Sequence, residues 1–341
     1  MIFVIYFAIF VFSVFCVHAQ INSKLLANAL DHPNDRSSHA QATKSAGGLS
    51  IIVMFSLGLL AVSWIEPGLF VGLIPLYVGA IVIGLMGLVD DYFDLSAAIR
   101  LALQVLFGCV MVFYFVTDSS LLGHSLTPVL KSIYVAGVTF CIVWHVNLYN
   151  FMDGIDGLAA SQTIYVCSVV SIILYLERDF VVLNWLLMLG LVTVAFLIFN
   201  WPKASLFMGD TGSGFLGFVL AGLCLYTVLS GTVSIESWLI ILSVFVVDSS
   251  VTLVRRLLSR KRVFDAHRSH AYQNLSRKYN SHKIATLVYI ALNLLFVTPA
   301  AFYSYYFPGN SFFAMLFVYL MLVIFCLSLK AGIEGVYEEN K

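Results

Sequence analysis

Eleven mostly apolar stretches, each about 20 residues long, follow one another along this 341-residue chain. They run near 2–19, 46–64, 68–89, 99–117, 131–150, 158–176, 180–199, 213–230, 234–254, 284–303 and 312–331. As a helix rising 1.5 Å per residue, about 20 residues match the ~30 Å hydrocarbon core of a bilayer. A single soluble core does not hide this much apolar surface. The chain is 61% hydrophobic and 11% charged, with mean hydropathy +0.96, whereas a soluble domain is roughly 25% charged. Lipid offers the backbone no hydrogen-bond partners, so each span must satisfy its own. The expected fold is all-α: a polytopic membrane protein of about 11 transmembrane helices in a single domain, 1–341. No internal repeat is evident, which argues against inverted-repeat transporters.

Charge sets the expected orientation. With the N-terminus periplasmic and the C-terminus cytoplasmic, the inner loops hold Lys24, Arg36, Lys44, Arg100, Lys203, nine basic residues from Arg255 to Lys283, Lys330 and Lys341. Only Lys131 and Arg178 are left for the outer loops. This asymmetry fits the positive-inside rule. The first span has an Ala19 junction resembling a signal cleavage site, but no Lys or Arg precedes Lys24, so it is expected to stay as a helix. Cys16, Cys109, Cys141, Cys167, Cys224 and Cys326 fall in apolar runs without a CxxC pair, which points to neither a disulfide framework nor a zinc site. The formal net charge is zero, and no nucleic-acid partner is expected.

In this orientation the polar segments 31–48, 90–100, 147–157, 200–214 and 255–283 all fall on one face. The outer loops are short and mostly featureless. One-sidedness predicts a single site assembled from the loops near 20–45, 90–98, 151–157, 200–212 and 255–283. In "DDYFDLSAAIR", Asp90, Asp91 and Asp94 gather at the end of an apolar span. Mutual repulsion and the helix dipole oppose them there. A divalent cation would offset both; read alone, the cluster also fits a solvated helix cap. In "NLYNFMDGIDGLAA", Asn147, Asn150, Asp153 and Asp156 recur every third residue. These amides and carboxylates suit hydroxyl, uracil or metal-water recognition, and intramembrane polar groups are costly unless used. In "FNWPKASLFMGDTGSGFLGF", a Gly- and hydroxyl-rich turn with Asp210 feeds a helix N-terminus, a natural phosphate cradle.

The loop 255–283 crowds Arg255, Arg256, Arg260, Lys261, Arg262 and Arg268 with His267 and His270. Part of this is headgroup attraction. His267-Arg268-Ser269-His270 is different, because imidazoles flanking a guanidinium can clamp a diphosphate. Asp248 lies inside the ninth span, and a structural ion pair with Arg255 or Arg256 is expected ahead of direct substrate contact. His145 is expected to be a hydrogen-bonded helix residue.

These motifs, in this order, resemble the polyprenyl-phosphate N-acetylhexosamine-1-phosphate transferases (glycosyltransferase family 4), relatives of the lipid I synthase. "DHPNDRSSH…GG" is similar to the family's first cytoplasmic loop, "DDYFDLSAAIRL" to its DDxxD motif and "NLYNFMDGIDGLA" to NxxNxxDGxDGLA. "FMGDTGSGFLGF" is similar to its nucleotide and metal loop, and "DSSVTLVRR" with "HRSHAYQ" to its last large loop. Two departures stand out. Ala42-Thr43-Lys44-Ser45 replaces the frequent Pro-Thr-Pro-Arg, giving Lys44 the basic role, and His-Arg-Ser-His replaces a His-x-His-His cluster.

The resemblance implies transfer of an N-acetylated amino-sugar 1-phosphate of GlcNAc, FucNAc or QuiNAc type. The donor is a UDP-amino sugar, the acceptor undecaprenyl phosphate and the by-product UMP. It implies Mg²⁺, with Mn²⁺ as a substitute, held by Asp210 and Asp153. It implies catalytic roles for Asp90, Asp91, Asp153 and Asp156, and substrate contacts from Asn150, Phe207, His267, Arg268, His270 and Lys44. The expected place is the bacterial inner (plasma) membrane, among membrane lipids, with the active site on the cytoplasmic face. O-antigen or lipopolysaccharide assembly is the expected setting, and a homodimer is left open. Another lipid-linked phosphotransferase, or a non-enzymatic multi-span transporter, is the competing expectation.

Overall fold

A computed structural model describes residues 1–23, 30–31, 43–117, 127–261 and 267–337. Most of the "DHPNDRSSH" stretch, Lys24, Arg36 and Arg262 lie outside the described residues. The protein is almost entirely helical. Its spans are α1 (Ile2–Asn22), α2 (Gly48–Ser63), α3 (Ile74–Phe93), α4 (Ala97–Thr117), α5 (Pro128–Phe151), α6 (Leu158–Glu177), α7 (Phe180–Asn200), α8 (Gly209–Leu229) and α9 (Ile235–Leu258). The short α10 (Ala271–Tyr279) precedes α11 (His282–Leu292), which runs through a π-helical turn at Asn293–Val297 into α12 (Thr298–Tyr306). The last helix is α13 (Ser311–Ser328), and a two-stranded ribbon pairs β1 (Leu30–Asp31) with β2 (Thr43–Lys44).

Among the described residues ten helices, counting His282–Tyr306 as one, are long and apolar enough to cross a membrane. The protein is a multi-pass membrane protein. The eleventh expected span, 46–64, appears as α2 with 16 residues, about 24 Å of helix. The irregular turn 64–73 follows it, where Trp185 Nε1 donates to the Leu69 carbonyl at 2.9 Å. Helix α3 starts at Ile74, later than expected, because Pro75 fits only a first turn.

The bundle is built around α8. Helices α2, α3, α4, α5 and α9 pack on it, and residues 211–223 of α8 are all buried. The outer helices turn apolar side chains outward, as Phe3, Phe7, Phe12 and Phe15 of α1 do. Lipid tails are as apolar as leucine, so close backbone contact does much to hold such helices together. At Gly87 on α3, a Cβ would come within 2.2 Å of the Asp210 carbonyl oxygen. At Gly48 on α2 it would come within 2.1 Å of Gly212 N. These two glycines let α2 and α3 converge on the first turn of α8, where the polar segments meet.

Candidate active site

Asp210 stands in the first turn of α8, exposed enough to meet a ligand, with its side chain 34% accessible. Asn150 Nδ2, from the last turn of α5, donates to Asp210 Oδ1 at 2.7 Å and to Ser213 Oγ at 3.0 Å. Arg100 Nη1, from the first turn of α4, donates to Asp210 Oδ2 at 2.9 Å and to Asp90 Oδ2 at 2.5 Å. Asp90 is buried and also accepts from Leu95 N at 2.6 Å. Four helices therefore meet at one pair of carboxylates joined by one guanidinium. Helix α3 ends at Phe93, leaving Asp94 exposed in a left-handed conformation outside this constellation.

Asp91 does something else. Its Oδ1 accepts from Asp210 N at 2.9 Å, and its Oδ2 from Thr211 N at 3.2 Å and Thr211 Oγ1 at 2.6 Å. It caps α8 from a neighbouring helix, where a carboxylate satisfies amides that have no intrahelical partner. Gly209, at φ +71°, lets the chain make this turn, since a Cβ there would meet Asp91 Oδ2 at 2.5 Å.

The 152–157 turn supplies the other two aspartates. Asp153 is half-buried and makes no hydrogen bond or ion pair through its carboxylate among the described residues. Burial, followed by the charges of Asp210, Asp91 and Asp156, pushes its carboxyl well above the usual carboxylate range. Asp156 is buried and spoken for. Its Oδ2 accepts from Ala204 N at 3.2 Å, and its Oδ1 lies 3.2 Å from His282 Nδ1. It thus ties the 200–205 loop to the start of α11. Asn147 turns away to Gln104 Oε1 at 2.6 Å, so only Asn150 of the asparagine pair reaches the site. His145 Nδ1 donates to Gly217 O at 3.0 Å, the hydrogen-bonded role expected of it.

The remaining expected residues have partners of their own. Lys44 Nζ donates to Ile21 O at 2.6 Å and Ser23 O at 2.7 Å, capping the C-terminal end of α1. Phe207 is half-buried, and its backbone pairs with Lys44 and Gly47. His270 is only 2% exposed, 3.5 Å from Asp248 and stacked between His267 and Tyr272. It braces the loop. Burial, then the charges of His270 and Arg256, lower His267 to about 3, so it is a neutral hydrogen-bonding ring and not a cation. Arg268 is half-buried beside it. Asp248 does not pair with Arg255 or Arg256. It caps α10 through Ala271 N at 2.8 Å and Tyr272 N at 3.0 Å and accepts from Tyr289 OH at 2.5 Å.

Asp90, Arg100, Asn150, Asp153 and Asp210 thus share one end of the bundle. Asp90, Asp153 and Asp210 bring carboxylate oxygens to it, the ligands a hard cation prefers, beside the Arg100 guanidinium. Among the described residues no three His, Cys, Asp or Glu side chains close into a metal cage. Mg²⁺ takes one or two protein carboxylates and completes its shell from substrate phosphate and water.

The family model for glycosyl transferase family 4 matches residues 73–228. A probable undecaprenyl-phosphate N-acetylglucosaminyl 1-phosphate transferase of Bacillus subtilis is 28% identical over 92% of this chain and 86% of its own length. A decaprenyl-phosphate N-acetylglucosaminephosphotransferase of Mycobacterium leprae is 29% identical over 86% and 82%. The phospho-N-acetylmuramoyl-pentapeptide-transferase of Petrotoga mobilis is 30% identical over 76% and 84%. The chain belongs to glycosyl transferase family 4, the polyprenyl-phosphate N-acetylhexosamine-1-phosphate transferases. The matched segment of this family 4 member runs from the start of α3 to the end of α8. It contains every residue of the Asp210 constellation.

Arg100 is the functional candidate absent from the sequence-based expectations. It did carry a signal. A cation in the first turn of a helix is opposed by the dipole, and Arg100 is the lone basic residue between Lys44 and Lys131. Such a residue needs an acidic partner.

Proposed function

We propose that this protein transfers an N-acetylated amino-sugar 1-phosphate from a UDP-sugar to undecaprenyl phosphate, releasing UMP, at the cytoplasmic face of a bacterial plasma membrane. The supporting observation is the meeting of Asp90, Arg100, Asn150, Asp153 and Asp210 at one end of the bundle. The names of the relatives point to the same acceptor class, and the basic-residue asymmetry favours the cytoplasmic face. A transporter would place its polar site near the bilayer midplane.

The acceptor's attacking group is a phosphate monoester with a second pKa near ~6, so it is already mostly dianionic at neutral pH. A strong base is not required. The difficulty is bringing two anions together: like unit charges 4 Å apart repel by about 4 kcal/mol at an effective dielectric of 20. Mg²⁺ held by Asp210 and Asp153 would supply positive charge to both phosphoryl groups. Arg100 supplies a second, permanent cation from the protein and keeps Asp90 in register. Asn150 fixes Asp210 Oδ1, and Asp91 holds the α8 turn that presents Asp210. Asp156 sets the 152–157 turn. Phe207 is assigned to the donor uracil, and His267 and Arg268 to its diphosphate. Direct displacement on the β-phosphorus is favoured over a phospho-aspartyl route, because the monoester needs no further activation.

The test is to incubate membranes containing the protein with undecaprenyl phosphate and radiolabelled UDP-GlcNAc, UDP-FucNAc or UDP-QuiNAc. Labelled lipid and an equal amount of UMP from at least one donor are expected. No labelled lipid from any of them would refute the assignment.

A further inference from the structure

Beyond α13 the chain folds back onto the loop ahead of α10. Gly332 N donates to Ser269 O at 2.7 Å, and Arg255 Nη1 donates to Ala331 O at 2.7 Å. Asn274 Nδ2 donates to Leu329 O at 2.8 Å and Lys330 O at 3.1 Å. Arg256 is 3% exposed at the end of α9. Its ion-pair partner is Glu334, which also accepts from Lys261 Nζ at 2.8 Å. The same guanidinium stands 3.5 Å from Ser269 Oγ. The two cations hold the Glu334 carboxyl down at about 2, so it is ionised throughout the working range.

The opposite side of this loop rests on the site. Tyr272 OH donates to Phe151 O at 2.9 Å, and the His270 ring lies 6.2 Å from the Phe151 ring. Gly154 comes so near that a Cβ would meet Tyr272 OH at 2.1 Å. The loop is thus wedged between the tail of the chain and the turn that carries Asp153.

We propose that Leu329–Glu334 is a latch holding the His267–His270 loop against the Asp153 turn, with Glu334 as its positioning residue. The consequence for donor binding rests on the proposed transferase function and on His267 and Arg268 touching the donor diphosphate. Glu334 contacts no reacting atom. It acts by balancing Arg256 and Lys261 behind the loop and by anchoring the backbone pairing at Gly332. Without it, Arg256 and Lys261 lose the carboxylate they share, and the tail keeps only its contacts at Leu329–Gly332.

The test uses the full chain in nanodiscs, comparing wild type with Glu334→Gln and with Glu334→Asp, which keeps the charge on a shorter arm. Two quantities are read: amide hydrogen exchange of peptides covering 267–273, and KM against kcat for the UDP-sugar donor. Charge-assisted hydrogen bonds of this kind are worth enough to slow opening about tenfold or more. Glu334→Gln is therefore expected to speed exchange by about tenfold and raise donor KM by a similar factor. Its kcat should hold within about twofold, and Glu334→Asp should fall between. Unchanged exchange in Glu334→Gln overturns the latch. Faster exchange with unchanged donor KM upholds the latch and refutes the donor contact of the loop.

Discussion

Replacing Asp91 separates scaffold from chemistry. Its carboxylate accepts three hydrogen bonds from Asp210 and Thr211 at 2.6 to 3.2 Å. Loss of a helix cap costs about 1 kcal/mol, and a part-buried charge at a helix N-terminus adds up to ~2 kcal/mol. Amides and a hydroxyl left without a partner bring a penalty of about 1–3 kcal/mol that overlaps these. Asp91→Ala is therefore expected to destabilise the protein by about 2–4 kcal/mol. Asp91→Asn keeps an acceptor oxygen and loses the charge, for about 1 kcal/mol. Thermal unfolding in detergent, followed through the buried Trp185 and Trp238, measures both. Transferase rates taken below the melting midpoints complete the comparison. Asp91→Asn should keep its rate within about tenfold, following its stability. If it melts like wild type yet loses about a thousandfold in rate, Asp91 belongs to the chemistry and the capping argument is wrong.

Other substitutions have equally definite outcomes. Arg100→Lys keeps one charge but not the geometry that spans Asp90 and Asp210; its rate should fall about 10²-fold with little change in melting, and a near-wild-type rate would remove Arg100 from the site. Lys44→Met should lower stability by about 1 kcal/mol through the freed carbonyls at the end of α1 and leave donor KM within about twofold, a point steady-state kinetics settles. His267 sits at about 3 in the folded protein, against roughly 6.5 unfolded. Between those values the unfolded chain binds more protons, so stability rises with pH through this window and is lost on acidification. His267→Gln should flatten that part of the melting-versus-pH curve and add no step to the rate profile above pH 7.

The spans were legible because length and apolar content suffice to recognise a helix in lipid. Sequence alone also sorted the polar loops onto one end of the bundle, and the contacts joining Asp90, Asn150 and Asp210 now bring three of those loops together. Their pairing was not legible: Asp91 lies 119 residues from the amide it caps, and no local pattern encodes such a contact. Asp91 and Asp90 looked alike as neighbours in a motif, yet the helix turns them about 100° apart, one toward Arg100 and the other onto α8. The contacts of Lys44 were not legible because its partners belong to the end of α1. His270 and Asp248 were assigned outward or wrong partners because loop direction sets which side chains turn inward, and periodicity says nothing about a loop.

The central claim is that Asp210 seats a divalent cation on which transfer depends. Purified wild type and Asp210→Ala can be titrated with Mn²⁺ by electron paramagnetic resonance in the presence of whichever UDP-sugar yields labelled lipid, with UMP release measured on adding undecaprenyl phosphate in Mg²⁺ and in EDTA. Wild type is expected to bind Mn²⁺ and to release UMP only when a divalent ion is present, while Asp210→Ala binds it at least about tenfold more weakly and releases no UMP. Release of UMP that persists in EDTA, or in Asp210→Ala, would contradict the account.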